Sequence, residues 1–225
     1  MAILFTEAEK YVSWGNQVTS GLTTKTHVVT LSSFTIAVNG TVAFAYFPNA
    51  SIVYFQRSDP NYLVFYYSSR ATTSGVWYAT YNNAITNQIV VTYDASSTAN
   101  DPIIYANGAA LSITENTAPA GAELTNTTNY IGTQPGFNAV AATIYSCLTY
   151  NRIFTATEVL DSYNSRNAIP TYNGLVFAPD LRGAVGVDDG DTLGATNYMR
   201  DFVDGVTGTP SGSPVFVADT YLNWR

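Results

Sequence analysis

Short runs of residues that favour β-strands recur through most of this chain, and this recurrence limits the fold more than any other feature. From Val28 onward the runs are HVVTLSSFTIAV, TVAFAYF, SIVYFQ, YLVFYYS, VWYATY and QIVVTYD. They are rich in Val, Ile, Thr, Tyr and Phe, which suit the half-buried surface of a pleated sheet. Turn clusters such as PNA and RSDPN separate them, and no helical pattern lies between them. The spacing predicts an antiparallel sandwich rather than a parallel sheet with crossover helices.

A single short helix is predicted near residues 155–165. Thr155 is a candidate N-cap, and Glu158 stands at the third helical position, where its carboxylate can return the capping hydrogen bond. An apolar stripe at helical spacing follows and consists of Val159, Leu160 and Tyr163.

The order of motifs from residue 88 to residue 164 resembles a known fold family. The motifs are Val90-Val91-Thr92-Tyr93-Asp94, Ile104-Tyr105-Ala106-Asn107-Gly108, Ile131-Gly132, Ile144, Tyr150-Asn151-Arg152 and Glu158. Together they resemble the laminin-G-like, concanavalin-A-like jelly-roll domain in the form found in phage structural proteins. The resemblance implies an all-β, antiparallel two-sheet jelly-roll sandwich with one short helix. Domains of this kind bind a ligand on a face or a loop, or serve as building blocks.

The segment after Pro170 has a different composition. It is rich in Gly, Asp and Pro and contains two strand-like runs. It could be a linker, a small second unit or the missing strands of the sandwich. We favour the last, because the segment is too short to form a hydrophobic core of its own and the apolar side chains of SPVFV and of the terminal YLNWR need a sheet to pack on. We predict a single jelly-roll domain over residues 1–225, in which residues 171–225 complete the sandwich or exchange strands with a neighbouring copy.

The charge of the chain limits its partners. The net charge is −7, with nine Lys and Arg residues. Binding to nucleic acid needs many cations to neutralise phosphates, so we expect neither nucleic acid nor an anionic membrane surface as a partner. Only 11% of residues are charged, whereas a soluble domain usually carries about a quarter. This low fraction predicts that protein subunits, of a virion or of a homo-oligomer, cover part of the surface.

The sequence also indicates a location. The opening MAILFTEAEKYVSW lacks the basic start and long apolar stretch of a signal peptide, and no apolar run has the length of a membrane span. We therefore expect the chain in a virion, or in the cytoplasm of the producing cell before assembly.

Catalytic patterns are missing from the sequence. Glycosidases need two carboxylates at a fixed separation, and no strand carries such a pair. Cys147 is the single cysteine, and no histidine that would pair with it is evident, His27 being the single histidine. We predict that Cys147 is a small packed residue rather than a nucleophile and that the protein is not an enzyme.

Aromatic residues supply the candidate contact site. The candidates are Tyr62, Tyr66, Tyr67, Trp77 and Tyr81. Exposed rings could stack on sugars, as on a lectin-like face. The alternative is that alternate rings belong to the core and the others meet a protein neighbour, since aromatic residues are also enriched at protein interfaces.

A cluster of carboxylates supplies the one candidate metal site. Asp188, Asp189 and Asp191 lie in a Gly-flanked loop, and calcium prefers such oxygen ligands. The alternative is a solvated turn, because the full EF-hand pattern is absent. No other cofactor is expected.

Two functions follow from these patterns. The first is a non-enzymatic virion structural protein, such as a capsid decoration, fibre or tail component, built on a laminin-G-like sandwich. The alternative is a carbohydrate-binding, lectin-like module with glycans as its partners.

Overall fold

A computed structural model describes most of the chain. The described residues are 2–5, 11–15, 22–31, 40–47, 51–57, 62–67, 70–81, 87–122, 128–132, 142–165, 171–179, 203, 209–211 and 215–217. They form one helix, α1 (Ala156–Asn164). The strands are β1 (Ala2–Phe5), β2 (Tyr11–Gly15), β3 (Thr24–Leu31), β4 (Gly40–Phe47), β5 (Ser51–Arg57), β6 (Tyr62–Tyr67), β7 (Gly75–Thr80), β8 (Gln88–Asp94), β9 (Ile103–Ala106), β10 (Ala109–Ala110), β11 (Ile113–Thr117), β12 (Thr128–Gly132), β13 (Ala142–Tyr150), β14 (Leu175–Phe177), β15 (Thr209–Ser211) and β16 (Val215–Val217).

The strands form two antiparallel sheets. Sheet A has the order β10-β9-β8-β3-β13-β1-β16, with β14 also paired to β13. Sheet B has the order β11-β7-β6-β5-β4-β12-β2-β15. The six strand runs predicted from Val28 to Asp94 correspond to β3 through β8, and five of them are confirmed. The first run is confirmed as far as Leu31, because residues 32–38 lie outside the described residues.

The core has two layers, one on each face of sheet A. Between the sheets, the Tyr93 ring of β8 contacts the Phe65 ring of β6, with centroids 5.6 Å apart. On the opposite face of sheet A, α1 and the segment before it cover a second apolar cluster. Its members are Val28, Val90, Tyr105, Leu148, Tyr150, Phe154, Val159 and Ala178. Coverage on both faces explains why β3 and β8 are almost entirely buried.

The predicted start of α1 is confirmed. Thr155 is the N-cap, and its Oγ1 accepts a hydrogen bond from the Glu158 backbone N–H at 3.2 Å. Glu158 Oε2 accepts in return from the Thr155 N–H at 2.8 Å. The helix ends at Asn164, as predicted, with Ser165 as its C-cap.

Some short strands were not predicted from the sequence, among them β1, β2, β11 and β15. β1 and β2 precede the first predicted run, and β15 contains Pro210. Each gains its hydrogen bonds from a strand that is distant in sequence: β1 from β13, β2 from β12, β11 from β7, and β15 from β2. Pro210 is tolerated because β15 lies at the end of sheet B, where one side of a strand needs no partner.

The C-terminal strands pair with earlier strands of the same chain. β14 pairs with β13, β15 with β2, and β16 with β1. The described strands of residues 171–225 thus add to both sheets. The single-domain assignment, and any exchange of these strands with a neighbouring copy, stay predictions.

Among the described residues, α1 is too short to cross a membrane, and no other helix meets that requirement.

Candidate ligand-binding face

The side chains of β6 alternate between two faces, and this alternation divides the predicted contact residues. Leu63, Phe65 and Tyr67 are fully buried. Tyr62 and Tyr66 project from the opposite face and are half-buried. The first set faces sheet A, and the second set faces away from it.

Tyr67 and Trp77 are core residues. Both are 0% exposed, and their rings pack on Tyr93 with centroids 4.9 and 5.4 Å away. The indole N–H of Trp77 donates to Asp101 Oδ1 at 2.7 Å, so its polar atom is satisfied. Neither ring offers a surface to a ligand in this structure, because the inner face of β6 and β7 is the one that sheet A covers.

Trp77 fits in the core because Gly75 has no side chain. A Cβ atom at Gly75 would collide with the six-membered ring of Trp77 and would approach Pro119 Cβ to 3.3 Å. Gly75 also lies opposite Tyr67 in the β6–β7 ladder. The missing side chain makes room for the large rings of the inner face.

Tyr81 directly follows β7 and is also buried, at 8% exposure. Burial raises the pKa of its hydroxyl, because the phenolate would lose hydration. Of the five predicted contact residues, the structure therefore brings only Tyr62 and Tyr66 to the outer surface of sheet B. Their role in contacting a ligand stays a prediction.

The outer surface of β6 and β7 carries a set of residues that we call the tyrosine face. Its members are Tyr62, Val64, Tyr66, Val76, Tyr78 and Thr80. The rings of Tyr62 and Tyr78 lie 5.4 Å apart, centroid to centroid, and are tilted by 55°. Val64 is opposite Tyr78 in the ladder and is 0% exposed, so its neighbours cover it completely.

The ring of Tyr66 is held in place at the other end of β6. Its hydroxyl donates a hydrogen bond to Ser74 Oγ at 3.0 Å. Ser74 directly precedes β7, so this bond ties the end of one strand to the beginning of the next. The bond thus restrains the orientation of the ring.

The tyrosine face carries no charged residue type. Its cross-strand neighbours on β5 are Ile52, Tyr54 and Gln56, and its neighbours on β11 are Thr114 and Thr117. None of these residues is an Asp, Glu, Lys, Arg or His. Aromatic rings flanked by hydroxyl groups can hold a ligand that has an apolar face and a polar rim.

Two cations lie on the inner side of β6, opposite the tyrosine face. Lys25 Nζ donates to the Tyr67 hydroxyl at 3.2 Å and lies 4.6 Å from the centre of that ring. Arg70, just beyond β6, donates to the Ala95 and Gly121 carbonyl oxygens. These bonds join the end of β6 to the loop after β8 and to the segment after β11. They therefore fix the position of the strand that carries the tyrosines.

His27 and Cys147 lie in the interior between the sheets. His27 is 2% exposed, its Nδ1 lies 3.1 Å from Thr149 Oγ1, and Cys147 is 0% exposed. Burial, and secondarily Lys25, hold the pKa of His27 well below its ordinary value, and burial raises the pKa of Cys147. Neither side chain can reach a substrate in this structure. The absence of enzyme activity stays a prediction.

The predicted calcium ligands Asp188, Asp189 and Asp191 lie outside the described residues. Within the described part of the chain, no group of three or more His, Cys, Asp or Glu residues could hold a metal ion. The calcium site stays a prediction.

Tyr78 belongs to the outer face but was not among the predicted contact residues. The alternation in VWYATY places Tyr78 on the opposite side of β7 from Trp77. That signal was present in the sequence. It separated the two residues without showing which of them faced the core, because both are large and aromatic.

Comparison with known proteins identifies the class of fold. No protein-family model matches the sequence, and no curated protein matches it. A Bacteroides ovatus protein provisionally described as carbohydrate-binding aligns with 97% of this chain at a TM-score of 0.64 and 15% identity. The chain spans 60% of the length of that protein. A heptameric SAP-like pentraxin from Limulus polyphemus aligns over 94% of this chain and 96% of its own, at a TM-score of 0.56 and 11% identity.

At these identities the likeness shows the fold alone. The protein is an all-β, antiparallel jelly-roll sandwich of two sheets with one short helix, so the predicted fold class is confirmed. A Trypanosoma rangeli sialidase aligns over 67% of this chain and 24% of its own at a TM-score of 0.44, which is too distant to bear on activity.

Proposed function

We propose that this protein is a non-enzymatic, lectin-like module that binds carbohydrate on the tyrosine face. The observation that carries the proposal is the pair of outward-facing rings of Tyr62 and Tyr78, 5.4 Å apart. The C–H face of a sugar ring packs on aromatic surface, and the sugar hydroxyls find partners at the rim. Thr80 and the tyrosine hydroxyls provide such partners here.

The comparisons support this proposal over a purely structural role. The Bacteroides ovatus protein, which is provisionally described as carbohydrate-binding, has the same fold over nearly the whole of this chain. Fold likeness does not transfer function by itself, because sites are built separately on shared folds. The tyrosine face therefore carries the argument, and the likeness adds to it.

The non-enzymatic part of the proposal rests on the missing carboxylate pair. Glycosidases need two carboxylates at a fixed separation, and no strand-like run of the sequence carries such a pair. The single histidine and the single cysteine are also buried, so neither can take over the role of a catalytic group at the surface. Release of reducing sugar from a bound glycan by the purified protein would contradict this part.

The test is glycan binding by the intact protein and by Tyr62→Ala. A glycan array identifies a ligand, and isothermal titration calorimetry then measures its Kd. We expect Tyr62→Ala to weaken binding by more than about tenfold, because a central aromatic contact is worth about 2 kcal/mol or more.

Tyr172→Ala is the matched control. Tyr172 is 78% exposed and precedes β14, which belongs to the other sheet, so its loss should leave Kd unchanged. A folded wild-type protein that binds no glycan would overturn the proposal. Equal effects of the two variants on Kd would indicate that the binding site lies outside the tyrosine face.

A second candidate function is a structural subunit of a virion or of a homo-oligomer, of the phage type that the sequence resembles. The observation in its favour is a set of exposed apolar side chains on or near the sheet A edge and α1. They are Ile103, Ile153, Leu160 and Tyr172, with exposures of 47%, 38%, 46% and 78%. Burying such side chains against another subunit is favourable at about 25 cal/mol per Å².

Sedimentation and light scattering on the purified protein, with mass spectrometry of intact particles from the producing cell, test this candidate. An oligomer that Leu160→Glu dissociates would support it. A monomer at high concentration that is absent from particles would contradict it.

A further inference from the structure

The arrangement of rings on the tyrosine face points to a particular class of glycan, and this inference rests on the proposed function. Tyr62 and Tyr66 lie on the same side of β6, four residues apart. At roughly 3.4 Å per residue, their Cα atoms are about 14 Å apart along the strand. A single sugar ring cannot contact both.

The two ends of the face are chemically different. At one end, Tyr62 and Tyr78 form a tilted pair with centroids 5.4 Å apart. At the other end, Tyr66 is a single ring whose hydroxyl is hydrogen-bonded to Ser74 Oγ. Val64 lies between them along β6 with no exposed surface, so it offers no contact of its own to a ligand. The result is two contact points on one strand.

The charges of the described side chains argue against one class of ligand. Recognition of a carboxylate or sulfate group needs cations or several aligned donors. Among the residues whose side chains the structure describes, the cations beside β6 are Lys25 and Arg70, and both approach Tyr67 from the inner side of the strand. Lys25 is 1% exposed, and Arg70 donates to two backbone carbonyl oxygens. Neither belongs to the outer surface, where all of the described residues of the tyrosine face are uncharged.

We propose that the tyrosine face binds a neutral, linear oligosaccharide that lies along β6, with one sugar on the Tyr62–Tyr78 pair and a later sugar of the same chain on Tyr66. A sugar that contacts only one end of the tyrosine face gains only part of the binding free energy. A chain long enough to reach both ends gains the second contact without a second loss of translational freedom.

The experiment is a chain-length series. Neutral gluco-, xylo- and manno-oligosaccharides, from disaccharide to hexasaccharide, are titrated into the intact protein and into Tyr66→Ala. Oligogalacturonides and sialylated oligosaccharides are the anionic probes. We expect the wild-type affinity for one neutral series to rise about tenfold or more with length and then reach a plateau. Tyr66→Ala should keep the disaccharide affinity and lose the gain with length.

Tyr66→Phe is the control for folding and for the hydroxyl. It keeps the ring but removes the bond to Ser74 Oγ, so the length dependence should remain. The wild-type series is informative even if Tyr66→Ala does not fold. A wild-type affinity independent of chain length would overturn the inference, and so would tighter binding of the anionic probes. Both outcomes leave the proposed function intact, whereas a failure of every glycan to bind refutes the proposed function itself.

Discussion

At the scale of single residues, burial decides what the polar side chains can do. Lys25, His27 and Thr149 all lie between the sheets with 2% exposure or less. A charged imidazole in that position would lose its hydration and would also be repelled by Lys25, so His27 is held neutral. The residue type most often used for acid–base chemistry is here part of the packed interior.

This burial makes stability dependent on pH. The folded-state pKa of His27 lies below its ordinary value of 6.5, so below about pH 6.5 the unfolded chain takes up a proton that the folded chain does not. We expect the free energy of unfolding to fall with decreasing pH, by up to about 1.4 kcal/mol per pH unit, until the folded-state pKa is reached. Urea denaturation at pH 7, 6 and 5 measures this change.

His27 is the only histidine, so few other groups titrate in this window. His27→Gln should flatten the slope between pH 6.5 and pH 5, whatever its effect on stability at neutral pH. An NMR titration that places the imidazole pKa near 6.5 in the folded protein would contradict the prediction.

At the scale of elements, α1 is the part whose local sequence and observed structure agree most closely. Thr155 and Glu158 form the reciprocal capping bonds. Glu158 Oε1 also pairs with Arg152 Nη2 at 2.7 Å, and Arg152 Nε donates to the Asn173 carbonyl oxygen at 2.9 Å. The cap therefore links the helix to the loop before β14, a contact that no local pattern predicts.

Removal of the Glu158 charge should weaken this link. The hydrogen bond from Arg152 is the largest cause that lowers the pKa of Glu158, from 4.5 to about 2. The contribution of the ionised Glu158 side chain to the free energy of unfolding is therefore complete above pH 4.5 and is lost as the pH falls from 4.5 towards 2. Since the carboxylate is partly exposed, we expect Glu158→Gln to lower the free energy of unfolding by only about 0.5–1 kcal/mol at pH 7.

Denaturant unfolding at pH 7 and at pH 3 measures the effect. The difference between Glu158→Gln and wild type should shrink at the lower pH. Asp161→Asn, which removes an exposed carboxylate from the same helix, is the matched control and should change stability little. An equal loss in both variants would argue against a specific role for the Arg152 pair.

At the scale of the whole molecule, the last strands close both sheets. β16 is the end strand of sheet A beside β1, and β15 is the end strand of sheet B beside β2. Without them, β1 and β2 would present unpaired backbone groups, which promote aggregation. The N-terminal strands β1 and β2 thus need the C-terminal strands β16 and β15 as hydrogen-bonding partners.

Deletion of residues 171–225 should therefore expose core and cause aggregation or loss of cooperative unfolding. Size-exclusion chromatography with light scattering and a thermal melt measure this. Deletion of residues 218–225 alone is the control, because it leaves every described strand in place. A monomeric product of the longer deletion, as stable as the full chain, would show that the segment is a separate unit.

Local pattern was sufficient to predict β3 through β8 and α1, because β-favouring runs, turn residues and capping residues act over a few positions. The order of strands in the sheets, and strands such as β1, β2, β11 and β15, depended on hydrogen bonds from distant parts of the chain. In the candidate site, too, local pattern predicted one part and tertiary packing decided the other. Alternation separates Trp77 from Tyr78, but both faces of β6 and β7 carry aromatic residues. Only the packing of sheet A against one face decided that Trp77 lies in the core and Tyr78 lies on the surface.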